Sequence, residues 1–233
     1  MLTPLAFARH GHVRAATLSD LRARALLVPT LVDPDAGAGG YDARQLPELN
    51  RLLAKEPGID SSEAAWRRSL QEADRCGLAI TEKALPATLV LQRWTRVEDP
   101  TQIDHAIVPL WAALSRDLRA LGIRRTEPTI AWYDDAPPRS DLRLGVAYPI
   151  RPGLEPAVDH CPGLELATLE PEARAVTTLH HGSLGEIIGT WQSLEIQVAE
   201  QGLRPRGRCR EIYLAKPTGR PHVWVTELQQ PVQ

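Results

Sequence analysis

The chain has 233 residues, of which 43% are hydrophobic and 24% are charged, a composition typical of an ordinary globular protein with one large domain or two small ones. Its formal net charge of −2 gives no general attraction to nucleic acid, and no apolar run reaches the roughly 18 residues of a membrane span. The three cysteines, Cys76, Cys161 and Cys209, form no CxxC pair, so neither a zinc site nor a disulfide framework is expected and the sequence fits a reducing cytoplasm.

The first 55 residues predict short helices interrupted by the Pro/Gly-rich stretch "VPTLVDPDAGAGGYD". After it, Asp42 is placed to cap a helix, and Gln45, three residues later, completes a capping box. The helix that follows has four leucines on one face, at Leu46, Leu49, Leu52 and Leu53. A further short helix is predicted over residues 63–76, and strands are predicted from about Ala87 onward.

The rest of the chain contains an internal repeat with an offset of 80 residues. Each half predicts a strand, a helix, and two strands joined by a turn. The apolar helix faces carry Ile103, Ile107, Trp111, Leu114 and Leu118 in one half, and Ile187, Trp191, Leu194 and Val198 in the other. Two βαββ units related in this way can form one antiparallel sheet with both helices on one face, which leaves the other face open to make a cleft.

The stretch "CREIYLAK", residues 209–216, places a glutamate inside a run of strand-forming residues. Alternation along the strand separates Ile212 and Leu214 from Glu211 and Tyr213. We expect the apolar pair to face the helices, and therefore Glu211 and Tyr213 to face the open side.

By the same argument Tyr133 and Glu227 are expected on the open side, while the residues assigned to the helix side are Leu144, Val146, Thr226 and Leu228. Two carboxylates and two tyrosines would then line one concave surface near the pseudo-two-fold axis. A plainer interpretation is that both glutamates are solvated and pair with nearby arginines, namely Arg143, Arg208 or Arg210.

Three stretches of the second half, "ARAVTTLHHGSLGEIIGTW", "QGLRPRGRCREIYLAK" and "WVTELQQPV", resemble the GyrI-like effector-binding domain, the ligand module of many MerR- and AraC-type regulators. The resemblance covers about residues 85–233. It implies two βαββ units around a pocket for bulky, planar, often cationic drug-like molecules, and it places Glu211 in that pocket. A buried carboxylate suits such ligands, because a cation supplies the partner that the carboxylate otherwise lacks.

We therefore predict a ligand-binding site composed of Glu211, Tyr213, Tyr133, Glu227, Trp94, Trp224 and Tyr148. Trp94 and Trp224 fit the core and the pocket rim equally well, whereas Trp111 and Trp191 are predicted to be core residues. The sequence has no nucleotide-binding motif and no spacing typical of metal ligands, so no cofactor and no metal are predicted.

The first 60 residues resemble a degenerate MerR-type winged helix-turn-helix, with "LLVPTLVDPDAG" as the wing. Where the family's recognition helix carries an Arg and an Arg-x-Tyr pair, this chain has Ala16, Ser19 and Leu21. Pro4 falls at the approach to the first helix, and His12 stands where a turn glycine is usual. Because duplex binding depends on cationic phosphate contacts, these departures argue against sequence-specific DNA binding.

The predicted linker, residues 61–84, contains a helix of about four turns at most. MerR-type regulators join their domains by a long antiparallel coiled coil, so a monomer or a weak dimer is expected. The predicted α+β architecture is thus a degenerate winged helix-turn-helix (1–60), a short linker (61–84) and a GyrI-like small-molecule-binding domain (85–233).

Three functions remain open from the sequence. A MerR-type, ligand-responsive transcription regulator fits the layout, and a drug-binding resistance protein fits the altered DNA contacts. The third is a hydrolase that acts on strained, cyclopropanoid-type electrophiles, since some GyrI-like domains resemble such hydrolases. In that case Glu211 or Glu227 would activate a water as a general base, with Tyr133 or Tyr213 orienting the substrate.

Overall fold

The computed structural model describes residues 1–32, 39–56, 59, 61–73, 78–124, 128–134, 141–153, 155–216, 220 and 224–233. The N-terminal part contains α1 (Pro4–His10), α2 (Ala15–Ala23), a hairpin of β1 (Leu31–Val32) and β2 (Gly39–Gly40), α3 (Leu46–Leu53) and α4 (Ser61–Ala73). The tip of the predicted wing, residues 33–38, and the end of the predicted linker helix, residues 74–77, lie outside the described residues. Of the described helices, none has the length and apolarity needed to cross a bilayer.

Local capping explains where the N-terminal helices begin. The Thr3 hydroxyl accepts a hydrogen bond from the backbone N–H of Ala6, and Pro4 occupies the first helical position, where its missing N–H is not needed. Pro4 therefore starts α1 rather than disturbing it. Asp42 and Gln45 form the predicted capping box before α3, whose buried face consists of Leu46, Leu49 and Leu53, with Leu52 partly buried.

The turn after α1 needs a residue in the left-handed region. His12 has a φ of 48°, a conformation that glycine adopts without steric cost. The sequence therefore departs from the usual glycine at a position where the backbone still follows the glycine conformation. The carbonyl of His12 accepts a hydrogen bond from Arg67, which holds the turn against α4.

The larger part of the molecule is an eight-stranded antiparallel sheet with two helices on one face. Its elements are β3 (Ile80–Leu85), β4 (Thr88–Val97), α5 (Ile103–Ala120), β5 (Thr129–Asp134), β6 (Leu142–Pro149), β7 (Glu165–Leu169), β8 (Glu172–His181), α6 (Ile187–Glu200), β9 (Cys209–Ala215) and β10 (Val225–Pro231). Among the described strands the order is β3-β8-β10-β9-β5-β6-β4-β7. The two predicted βαββ units are thus confirmed, and they meet where β9 pairs with β5.

Strand formation begins earlier than predicted, at Ile80 instead of about Ala87. β3 precedes the first unit but pairs with β8 of the second, and β7 precedes the second unit but pairs with β4 of the first. This exchange of edge strands ties the two halves together. Both edge strands have mostly exposed side chains, so they lack the apolar alternation that identifies a half-buried strand.

The register of the central strand pair places the pseudo-two-fold axis at Glu211. Ala131 of β5 pairs with Glu211 of β9, and these residues are separated by the 80-residue offset of the repeat. The axis therefore passes between them. Tyr133 and Tyr213 are symmetry mates on its two sides, and Trp111 and Trp191 are mates on α5 and α6.

Candidate functional site

The face of β9 that carries Glu211 is covered by the helices, contrary to the prediction. Tyr213 and Tyr133 belong to the core cluster that includes Trp191 of α6, whereas Ile212 packs on the helix-free face beside Trp132. The alternation was predicted correctly, but the face was assigned wrongly. Alternation decides which residues share a face, and it does not decide which face the helices cover.

The remaining face assignments divide as follows. Leu144, Val146, Thr226 and Leu228 are buried, and Leu144, Val146 and Leu228 belong to the two clusters beneath the helices, as predicted. Glu227 lies on the helix-free face, where it pairs with Lys83 and accepts a hydrogen bond from Gln229. The prediction that Glu211 and Glu227 line one surface is therefore wrong. Glu227 is ion-paired, as the plainer interpretation expects, but its partner is Lys83 and not one of the named arginines.

The Glu211 carboxylate is 4% exposed and is held by two donors. The indole Nε1–H of Trp191 donates to Oε1 at 2.8 Å, and the hydroxyl of Tyr213 donates to Oε2 at 2.7 Å. An ionised carboxylate has only acceptors, so both contacts match its chemistry. The glutamate is thus buried and fixed in orientation rather than solvated.

Aromatic rings surround this carboxylate. Trp111 of α5 meets Tyr213 edge-on, with 5.6 Å between ring centroids. Burial, and then the charge of Glu211, raise the pKa values of both Tyr133 and Tyr213 well above the ordinary value of 10.0. Both phenols therefore remain protonated at neutral pH and can act as hydrogen-bond donors.

Helix α1 contributes charged and titratable side chains to the same region. The Cζ atom of Arg9 lies 5.5 Å from the ring centroid of Tyr133 and 5.8 Å from that of Trp191. Nε2 of His10 lies 2.9 Å from Nη2 of Arg9 and 3.4 Å from Oε1 of Glu195. Burial, and then the charge of Arg9, lower the pKa of His10 well below 6.5, so the ring is neutral at pH 7 and accepts from Arg9.

These six residues form what we call the Glu211 chamber: Glu211, Tyr133, Tyr213, Trp111, Trp191 and Arg9. Helix α6 contributes Trp191 to the chamber, and other side chains of the same helix contact the N-terminal part. The side-chain amide of Gln192 donates to the backbone carbonyl of His10 at 2.7 Å and accepts from Asn50 at 2.8 Å. Ile196 packs into the N-terminal core. The chamber is consequently closed on one side by α1.

The other predicted site residues lie apart from Glu211. Trp94 is on the helix-free face, where its indole N–H donates to Glu165 at 3.0 Å. Tyr148 lies under the helices in a neighbouring cluster, and its hydroxyl donates to a backbone carbonyl at 3.1 Å. Trp224 is partly buried, and Nζ of Lys216 lies 4.8 Å from its ring centroid and 4.9 Å from the ring centroid of Tyr213.

The helix-free face carries a groove of about 250 Å³ between β3 and the centre of the sheet. Its lining includes Lys83, Leu85, Ile130, Arg210, Ile212 and Glu227. The open cleft that the sequence predicts thus exists, but Glu211 is not part of it. In the described ranges, no three His, Cys, Asp or Glu side chains lie close enough to hold a metal ion.

Three members of the chamber were not predicted from the sequence as site residues. Trp111 and Trp191 were assigned only to the core because they fall on apolar helix faces, although their repeat-related positions mark them as flanking the axis. No sequence pattern marks Arg9 as a site residue, because its ring contacts are with residues more than 120 positions away.

No family model matches this chain, and no curated protein matches it. Solved structures do. EcmrR in complex with DNA is 19% identical over 97% of both chains, with a TM-score of 0.51. The crystal structure of the EcmrR C-terminal domain is 18% identical, covering 67% of this chain and 98% of that one, with a TM-score of 0.53. SAV2435 bound to tetraphenylphosphonium is 10% identical, covering 67% and 94%, with a TM-score of 0.53.

At such identities the likeness concerns the fold. The C-terminal two thirds of the chain share the fold of the EcmrR C-terminal domain, and the match to EcmrR extends over the N-terminal part as well.

Proposed function

We propose that this chain is a GyrI-like small-molecule-binding protein that takes bulky, planar aromatic ligands in the Glu211 chamber. The observation that carries the proposal is the buried Glu211 carboxylate, ringed by Tyr133, Tyr213, Trp111 and Trp191. Ligand sites are concave and mostly apolar, with a few placed polar groups, and this constellation has that composition.

The Glu211 carboxylate and the rings around it favour aromatic ligands with a cationic or hydrogen-bonding group. The carboxylate offers an ion-pair partner, and each aromatic face adds about 0.5–2 kcal/mol when a cation lies over it. SAV2435, which shares the fold, is seen with the cationic compound tetraphenylphosphonium, and this supports a ligand that is bulky, aromatic and cationic.

The layout supports a regulator as the ancestor, because EcmrR matches along the whole chain and is seen with DNA. DNA binding by this chain would make its output ligand-responsive transcription control, and loss of DNA binding would make it drug sequestration. The hydrolase ranks below both. Both oxygens of Glu211 already accept hydrogen bonds, from Trp191 and Tyr213, and Glu227 is on the opposite face of the sheet.

Titration with tetraphenylphosphonium, followed by tryptophan fluorescence, tests this proposal. We expect saturable quenching because Trp191 and Trp111 line the chamber. Glu211→Gln keeps the shape and removes the charge, so affinity for the cation should fall by roughly 10- to 150-fold, and affinity for neutral triphenylphosphine oxide should fall much less.

The matched control is Glu227→Gln, which makes the same chemical change on the helix-free face and should leave both affinities unaltered. Absence of saturable quenching with both compounds, or equal effects of the two substitutions, would contradict the proposal.

A further inference from the structure

The Glu211 chamber already contains a cation, the guanidinium of Arg9. Arg9 is 5% exposed, and its Cζ lies within 6 Å of the ring centroids of Tyr133 and Trp191. These distances are those of cation–π contacts. An arginine side chain remains charged in proteins, so a positive charge is resident among the rings.

Arg9 and Glu211 both interact with Trp191 and with Tyr133. Trp191 donates its indole N–H to Glu211 while its ring lies against Arg9. The phenol of Tyr133 experiences both charges, since Glu211 raises its pKa and Arg9 lowers it. The guanidinium therefore provides the kind of group that a cationic aromatic ligand would bring.

The position of Arg9 depends on the docking of α1. The backbone carbonyl of the next residue, His10, accepts a hydrogen bond from Gln192 of α6, and the His10 ring lies 5.7 Å from that of Trp191. Nη2 of Arg9 is fixed by Nε2 of His10 at 2.9 Å. A ligand that replaced the guanidinium would separate Arg9 from His10 and from the rings of Tyr133 and Trp191. It would do so beside the residue, His10, through which α1 contacts α6.

We propose that Arg9 is an internal ligand of the Glu211 chamber and its specificity-determining residue. While α1 is docked, the chamber selects against cationic aromatic compounds, because they meet a like charge in a desolvated site. Cationic compounds bind by displacing Arg9, and this displacement releases α1 from α6. The inference rests on the proposed ligand-binding function. It adds selection by ligand charge and a way in which a bound ligand changes the N-terminal part.

Arg9→Met tests the charge selection, since it keeps an unbranched apolar stem and removes the guanidinium. Affinity for tetraphenylphosphonium should rise by roughly 10-fold or more, and affinity for triphenylphosphine oxide should change by less than about 3-fold. Arg9→Lys keeps the charge and should stay near the wild-type value. Arg14→Met, at an exposed position just before α2, is the matched control and should change neither affinity.

An unchanged or weakened cation affinity in Arg9→Met, with binding by the wild-type protein, would overturn the inference and leave the proposed function standing. Failure of every variant to bind either compound would instead overturn the proposed function and the inference with it. Binding of the cation by Arg9→Met alone would support both.

Hydrogen exchange on the wild-type protein provides a measurement that needs no variant. Tetraphenylphosphonium should speed amide exchange in residues 4–10, while the neutral analogue should not. If the bound cation left α1 as protected as before, Arg9 would not be displaced and the inference would be wrong.

Discussion

At the scale of single residues, Arg9 and His10 are neighbours in the chain, and one is charged where the other is neutral. Arg9 is charged among aromatic rings, whereas His10 is fully buried and neutral because burial and the adjacent guanidinium lower its pKa. Oε1 of Glu195, on α6, lies 3.4 Å from Nε2 of the same imidazole. The hydrogen bond that Arg9 donates to this nitrogen requires a neutral ring.

This arrangement predicts acid sensitivity. The folded-state pKa of His10 lies well below its unfolded value of about 6.5, so its contribution to stability is fully present above that pH and is lost as the pH falls toward the folded-state value. The free energy of unfolding, measured with urea, should therefore decline from pH 7 to pH 5, by at most about 1.4 kcal/mol per pH unit for this one group. His10→Gln should flatten that decline, and His181→Gln, at an exposed position, should not. Equal slopes in the two variants would show that His10 does not titrate in this way.

At the scale of elements, α2 ends in a tight C-terminal turn. The N–H of Leu26 donates to the carbonyl of Leu21, and the N–H of Ala25 donates to that of Arg22, the two bonds of a Schellman motif. Ala25 has a φ of 53° in this turn, the left-handed conformation that is costly for a residue with a Cβ.

Ala25→Gly should accordingly stabilise the protein by about 1 kcal/mol, because relief of the left-handed strain exceeds the added entropy of the unfolded chain. Ala23→Gly, at the last residue of the same helix, should destabilise it, by less than the roughly 1 kcal/mol of an interior position. Thermal unfolding of the three proteins provides the comparison, and a lower Tm for Ala25→Gly would refute the assignment of strain.

The helices and strands also differ in how well the sequence predicts them. The repeat was sufficient for the two βαββ units, and the 3.6-residue period was sufficient for the apolar faces of α5 and α6. β3 and β7 were not predicted because edge strands with exposed side chains lack alternation. Local sequence patterns could not predict the side of the sheet on which Glu211 lies, because long-range contacts decide it. Ile212 packs against apolar residues on the helix-free face, and Glu211 accepts hydrogen bonds from Trp191 and Tyr213 under the helices.

At the scale of the whole molecule, α6 is shared by two cores. Trp191, Leu194 and Val198 pack on the sheet, while Ile196 packs into the N-terminal core. A helix that is buried on two sides makes the N-terminal part a structural component of the chamber. The contacts through α6 cross the predicted domain divisions at residues 60 and 84.

The exposed face of α2 supports the last prediction, that the chain alone does not bind an operator with sequence specificity. Ala16 and Ser19 are exposed but offer no cation, and Leu21 is buried. Arg24 is engaged by the carboxylates of Asp20 and Glu56 at 3.2 and 3.1 Å. The other exposed cations on and beside α2 are Arg14 and Arg22. Since duplex affinity depends on cationic contacts with phosphates, these two offer little to position the helix.

A gel-shift titration with the gene's own upstream region should consequently show only weak binding that disappears with competitor DNA and moderate salt. Adding tetraphenylphosphonium distinguishes two outcomes, because release of α1 would alter the N-terminal part. A tight, competitor-resistant shift in either condition would make the chain a regulator. Its absence in both would leave ligand capture in the Glu211 chamber as the output of the fold.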